Sequence, residues 1–570
     1  MNFKKSDLQK NLNLAVSYLE KNNFEKASDI YKKIIKKYPN NFDANFNLGT
    51  IYAKNNNLEK SVELLEMAAS INPNNENTFN NLGLIYLNLR NNEKALEVSK
   101  KAISINPNSS IAYSQLGIIY SNLGNINEAT KSYLKSISLN PKNIFANYNI
   151  GNLYKRTNDI KNSEKYLNIT LELDPNHLPA YNNLLELYDI SNQNESFEAL
   201  LKKGEKNFEK NPTISLFKAK LFYKLKKFND VVKILKSIKF SPKENFKEDS
   251  RLELIAKSYD QIGNYKEAYH FFEQTNKQKI INDKNNANKE IFLDIIKKRI
   301  NYFSKLNIQE WNAEKNEDNF EDPVFLIGFP RSGTTLLDTI LRSHPSIDVL
   351  EEKPTVDKYI EKLQKKINSN FDELKNSNSS FKEEIRNFYF EQRNKYLNDS
   401  EKIIIDKMPL NIVYVGEIIR YFPKAKFILA LRHPNDCILS CFMQAFLLNN
   451  AMANFLNVKD SAKMYDLTMK LWEIYKSKFS LDFHTIKYED LISNFRGSVS
   501  NLLKFLNLSW SDEVSEFYKT SEKRGIIATP SYNQVNQPLY SKSIGRWKNY
   551  KNELIEGKQY LESWIKKYGY

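Results

Sequence analysis

Cysteine is nearly missing from this chain of 570 residues, which has only Cys437 and Cys441. Lying four apart on a segment with helical spacing, the two share one face and cannot build a disulfide framework, so a reducing compartment suits them. His433 stands four residues before the first, which would allow a metal set, but small residues packing against a sheet is the reading adopted. No metal is expected, because no carboxylate cluster is there to hold one. Long apolar runs are missing too. Charges interrupt the N-terminal MNFKKSDLQKNLNLAVSYLEK, which reads as neither signal peptide nor membrane span, and no later stretch reaches bilayer length. A cytoplasmic protein without integral membrane association is expected. The net charge of +16 comes without a long basic block. It favours solubility and one anionic ligand, and nucleic acid is not an expected partner.

The length allows at least two domains, each with its own core. A fixed period dominates the first half. Pro39, Pro73, Pro107, Pro141 and Pro175 lie 34 residues apart, as do Tyr52, Tyr86, Tyr120, Tyr154 and Tyr188. Gly49, Gly83, Gly117 and Gly151 keep the interval, and Ala27, Ser61, Ala95, Ala129 and Ser163 supply small residues in the same register. Period and residue types together are those of the tetratricopeptide repeat. Small positions let paired helices approach, tyrosine fills the space between them, and each pair leaves an apolar face for its neighbour to cover. The register loosens after Leu185, which replaces the glycine, yet Leu252 to Thr275 reads as one more repeat. The expected organisation is a repeat array over 1–280, a bridging helix and polar linker over 281–321, and a second domain over 322–570. Two readings of the array stay open. Its concave face holds a hydroxyl-bearing acceptor such as a protein or peptide, or it packs on the second domain or mediates self-association. The oligomeric state is left open.

From Pro323 the pattern changes to short apolar runs alternating with helices, which predicts a parallel central sheet with crossover helices. Four strands stand out: Val324–Ile327, Lys402–Ile405, Lys426–Leu431 and Phe483–Lys487. After the first comes a turn of small residues, Gly328 to Thr335, and then the helical spacing of Leu336, Leu337, Ile340 and Leu341. Strand, small-residue loop and helix aim backbone N–H groups and a positive helix end at an anion. Gly328-x-x-x-x-Gly333-Thr334-Thr335 fits the phosphate-binding loop, except that Thr334 stands where lysine is required. A nucleoside triphosphatase or nucleotide kinase needs that lysine, so those functions are disfavoured. Arg331 can bring positive charge from another direction. Other polar residues follow the remaining strands: Asp406 and Lys407, Arg432, then Tyr488 and Glu489. Ligands gather at such strand ends, which argues for one site.

The chain from about 322 to 570 resembles the sulfotransferases that use 3′-phosphoadenosine-5′-phosphosulfate (PAPS). It is most similar to the protein-tyrosine sulfotransferase branch and to bacterial proteins that join such a domain to tetratricopeptide repeats. The segment PRSGTTL matches the family's 5′-phosphosulfate loop, and FILALRHPNDCILS matches its 3′-phosphate segment. The resemblance implies an α/β P-loop-like three-layer domain with PAPS as co-substrate and adenosine 3′,5′-bisphosphate as product. It implies donor contacts from Pro330, Arg331, Ser332, Gly333, Thr334, Thr335, Arg432 and Ser440. The late segment SKSIGRWKNY resembles the loop that closes over the nucleotide, with Lys542, Gly545 and Arg546, and two readings stay open for Tyr488 and Trp547, adenine contacts or core. Glu352, in the acidic pair after His344-Pro345, takes the place of the catalytic base. Lys407 takes that of the catalytic lysine, and Arg331 joins it in stabilising the leaving phosphate. Should Lys407 not be catalytic, a salt bridge to Asp406 is its expected role. The acceptor is a hydroxyl on peptide tyrosine, a glycan or a small molecule. A non-catalytic scaffold with a vestigial nucleotide domain is the rival reading.

Overall fold

In the computed structural model the described residues are 5–283, 286–311, 322–375, 377–397, 401–519, 539 and 542–570. The chain divides into two compact units, Met1–Leu221 and Phe222–Tyr570.

The first unit is helical, with successive antiparallel pairs from Lys5–Glu20 with Phe24–Lys37 to Leu178–Ile190 with Asn194–Asn207. Asparagine is abundant here for two structural reasons. Asn23, Asn41, Asn75, Asn91, Asn125 and Asn143 accept a backbone N–H through their side chains at helix starts, as N-caps do. Asn22, Asn56, Asn158 and Asn192 take the left-handed conformation between paired helices, a place held by Arg90 and Gly124 in the remaining pairs. The periodic glycines mark where helices touch. A Cβ on Gly117 would lie 2.4 Å from two ring carbons of the buried Tyr133. Ser61 Oγ and Ser163 Oγ, at the periodic small position, donate to the carbonyls of Gly49 and Gly151 at 2.6 and 2.9 Å.

The second unit contains a five-stranded sheet: β1 (Val324–Gly328), β2 (Ile347–Glu351), β3 (Ile403–Lys407), β4 (Lys426–Leu431) and β5 (Asp482–Lys487), in the order β2-β3-β1-β4-β5. All four pairings are parallel. Successive residues of β1 point to opposite faces. Phe325 and Ile327 join one apolar cluster with Phe427 and Leu429, while Val324 and Leu326 join another with Ile405, Ile428 and Ile486. Both faces are therefore covered by helices, which gives the three layers expected of a parallel sheet. The chain leaves β1 toward β2 on one side and β4 toward β5 on the other, so the strand order reverses between β1 and β4. Such a switch point opens a crevice at the carboxyl ends of those two strands.

The pattern from Leu252 to Thr275 forms the helices Glu248–Ile262 and Tyr265–Asn282. This hairpin belongs to the second unit, where Ala256, Ala268 and Phe272 share a core with Phe325 and Phe427. The bridging helix is Lys289–Lys305, and its buried Arg299 is ion-paired to the buried Glu417. Trp311, expected in a polar linker, packs at 5.4 Å from the ring of Phe479. Most of that linker, 312–321, lies outside the described residues. Among the described residues no helix is long and apolar enough to cross a membrane.

Candidate active site

The loop after β1 is turned by a left-handed Arg331 (φ 69°) and a left-handed Gly333 (φ 100°). A Cβ on Gly333 would stand 2.8 Å from Tyr488 Cδ2, so both backbone angle and space require glycine there. Gly333 also caps the helix Thr334–Arg342, whose positive end thus faces the loop. Ser332 and Thr334 are buried, and Ser332 Oγ has no hydrogen-bond partner.

Arg331 Nε donates to Ser440 Oγ at 3.0 Å, and Arg432 Nη1 donates to the Arg331 carbonyl at 3.3 Å. Arg432 therefore leaves β4 beside the loop that leaves β1, at the switch point. Its guanidinium lies 4.9 Å from the ring centre of Tyr488. Nη2 donates to the Ser543 carbonyl. Nε is buried without a partner. Pro330, Arg331, Ser332, Gly333, Arg432, Ser440 and Tyr488 thus form one cluster, with Thr334 and Thr335 at the start of the adjoining helix. Two orphaned donors in it, Ser332 Oγ–H and Arg432 Nε–H, fit an anionic ligand, because buried polar groups otherwise find partners.

Lys407 and Glu352 make a second cluster next door. In the sheet register Lys407 pairs with Leu326 of β1 on one side and Glu351 of β2 on the other. Its Nζ is 2.8 Å from Glu352 Oε1 and 3.4 Å from Glu351 Oε1. Lys407 is fully buried, whereas the Glu352 side chain is 43% exposed. Glu352 itself is left-handed (φ 49°), and its N–H donates to the Lys407 carbonyl at 2.8 Å. The alternative pairing of Lys407 with Asp406 does not occur. Asp406 points the other way and accepts from Thr355 Oγ1 and Tyr389 OH. His344 shapes the approach to β2, accepting from Ser346 N–H at Nδ1.

The late segment differs from expectation at one residue. Gly545 lies close by, its N–H donating to Asp436 Oδ2 at 2.7 Å, and the exposed Lys542 begins the same turn. Arg546, expected to close on a phosphate, is instead ion-paired to Asp260 at 2.8 Å. A buried carboxylate holds it there more firmly than an exposed position could. Ser541 lies outside the described residues. Trp547 stacks on His433, with centroids 4.8 Å apart, and burial pushes that imidazole below its ordinary value. Cys437 and Cys441 are fully buried, and burial pushes the Cys437 thiol up to about 12. Asp436, which the motif reading passed over, follows Arg432 by four residues in the first turn of the helix Pro434–Phe442, and that spacing beside a predicted strand end was the available signal.

Residues 323–512 match the Sulfotransferase family. Tetratricopeptide-repeat families match residues 12–76, 77–109, 110–143 and 146–177. The chain joins tetratricopeptide repeats to a sulfotransferase domain. An uncharacterized protein of Aquifex aeolicus is 29% identical over 256 residues, which are 43% of this chain and 33% of that one. The protein-tyrosine sulfotransferase 1 of Danio rerio is 22% identical over 233 residues, 39% of this chain and 65% of its own. The chain therefore spans between a third and two thirds of these relatives. Among solved structures, the crystal structure of MamA is 26% identical over 28% of this chain and 94% of its own, with a TM-score of 0.26. The sulfotransferase domain includes β1 to β5 and both side-chain clusters, while the turn that begins at Lys542 lies beyond the matched residues.

Proposed function

We propose that the sulfotransferase domain moves a sulfuryl group from PAPS to a hydroxyl acceptor. The reading is carried by one observation: the Lys407–Glu352 pair opens beside a phosphate-type loop that holds Arg331 and Thr334 and no lysine. The donor, when bound, supplies a sulfuryl group activated as an anhydride with phosphate. Arg331, Ser332, Thr334 and the loop N–H groups are suited to its 5′ end. Arg432, Ser440 and the turn at Ser543 are suited to a 3′-phosphate, which separates this nucleotide from ATP. Glu352, partly exposed, takes the proton from the hydroxyl, a role worth typically ~10²–10⁴-fold. Lys407, held by both glutamates, keeps the base oriented and brings its charge next to the loop. Preorganised donors of this kind contribute ~3 kcal/mol each where charge develops on a leaving group. The repeats hold the acceptor, a protein or peptide, in this proposal.

Calorimetry with adenosine 3′,5′-bisphosphate tests the donor assignment. Loss of a hydrogen bond to a charged group is worth ~1.5–3 kcal/mol, so Arg432→Ala should weaken binding by about 10- to 100-fold. Glu352→Ala, which removes only the base, should bind within a few-fold of the unsubstituted protein. Equal affinity for Arg432→Ala and the parent would overturn the 3′-phosphate assignment, and steady ATP hydrolysis by pure protein would favour a nucleotide kinase instead.

A further inference from the structure

Two buried carboxylates hold the turn that runs from Lys542 to Tyr550. Asp436, 1% exposed, accepts N–H bonds from Gly545 at 2.7 Å and Trp547 at 2.9 Å. The other is Asp260, on the helix Glu248–Ile262 of the hairpin and 290 residues before Tyr550. Both of its oxygens are engaged: Oδ2 faces Arg546 Nη2 at 2.8 Å and Oδ1 accepts from the Tyr550 hydroxyl at 2.6 Å. The Asp260 side chain is only 7% exposed. The rings of Tyr265, on the next helix, and Tyr550 meet edge-on at 5.2 Å. At its other end the turn offers the Ser543 carbonyl to Arg432.

We infer that Asp260 is a positioning residue of the anion site. Through Arg546 and Tyr550 it fixes the turn against which Arg432 is set, so a repeat-like hairpin outside the matched family region is a working part of the catalytic unit. A carboxylate suits the place better than any neutral side chain. It is the only group that can pair with a guanidinium through one oxygen and accept a phenolic proton through the other, and the guanidinium offsets the desolvation of its charge. An amide of the same shape offers one acceptor and turns an NH₂ group toward either Arg546 or Tyr550. The consequence for ligand binding rests on the donor site proposed above, whereas the clamp on the turn does not.

Hydrogen exchange read by mass spectrometry on the full chain separates the two. In Asp260→Asn the amides of 542–550 should exchange at least about tenfold faster, as a local opening rather than a global one, while the helix Lys558–Lys567 exchanges as in the parent. Affinity for adenosine 3′,5′-bisphosphate should fall about tenfold, the loss of one hydrogen bond to a charged group. Asp260→Glu should recover most of both. Because Asp260 acts through Arg546, adding Arg546→Gln to Asp260→Asn should change affinity by less than about twofold. Unchanged exchange in 542–550 would overturn the inference. So would equal acceleration in both segments, which is plain destabilisation, or faster exchange with full bisphosphate affinity in a parent that binds it. A parent that binds no bisphosphate sinks the donor reading instead, and the exchange rates alone then decide the clamp.

Discussion

Asp406 gives a pH dependence whose size follows from its surroundings. The carboxyl is 1% exposed, its Oδ2 accepts from Thr355 Oγ1 at 2.5 Å and Tyr389 OH at 3.1 Å, and its Oδ1 has no partner. Burial raises it from 3.8 to about 6, with the two donated hydrogen bonds pulling the other way. The folded chain therefore holds this proton more tightly than the unfolded chain. That contribution to stability is complete below the unfolded value of 3.8 and is lost as pH rises through about 6. The interval corresponds to ~3 kcal/mol. Asp406→Asn keeps an acceptor for Thr355 and Tyr389 but cannot titrate, so it removes the slope, and any constant cost of the buried amide drops out. All five tryptophans, from Trp311 to Trp564, belong to the second unit, so fluorescence during urea unfolding reports that unit alone. Between roughly pH 4 and pH 7 the parent should lose most of that, about 2 kcal/mol of stability, relative to the variant. Curves that stay parallel across that range would refute the burial argument.

Three further predictions concern packing, backbone angle and burial. Gly117→Ala places a methyl group 2.4 Å from the Tyr133 ring. It should cost ~1–3 kcal/mol through overpacking, read by circular dichroism during denaturation. Gly124→Ala, with open space around it and a φ of 77°, should cost only about 1–2 kcal/mol, the left-handed penalty. Cys437 and Cys441 should react with a thiol reagent only when the second unit unfolds, because both are buried and the Cys437 thiol is pushed up to about 12. Rapid labelling of the native protein would contradict their placement.

The repeats are legible in sequence because the close approach of paired helices recurs at a fixed interval, as the Gly49 and Gly151 carbonyls receiving serine hydroxyls illustrate in two of the pairs. Packing allegiance is not written the same way. The hairpin 248–282 keeps a repeat-like amphipathic pattern, yet Ala256 and Phe272 join the core beneath the sheet. Nothing in a helix's own periodicity says which apolar surface covers it. The edge strand β2 escaped the strand pattern because Asp348 interrupts an otherwise apolar run, and its burial is correspondingly uneven. The choice between Asp406 and Glu352 as the partner of Lys407 was decidable in principle, since adjacent strand residues face opposite sides. Arg546 was not decidable. Its partner lies in a distant helix with no motif to link them, so a basic residue in a nucleotide-type loop naturally reads as a phosphate contact.

The most direct test of the central claim is transfer of ³⁵S from labelled PAPS into the components of a cell lysate, comparing the parent with Glu352→Ala. The account predicts labelled acceptor with the parent and, in the variant, a loss of at least about 10²-fold while bisphosphate affinity stays within a few-fold. Undiminished transfer by Glu352→Ala, or bisphosphate binding by a parent that labels no hydroxyl-bearing acceptor, would contradict it.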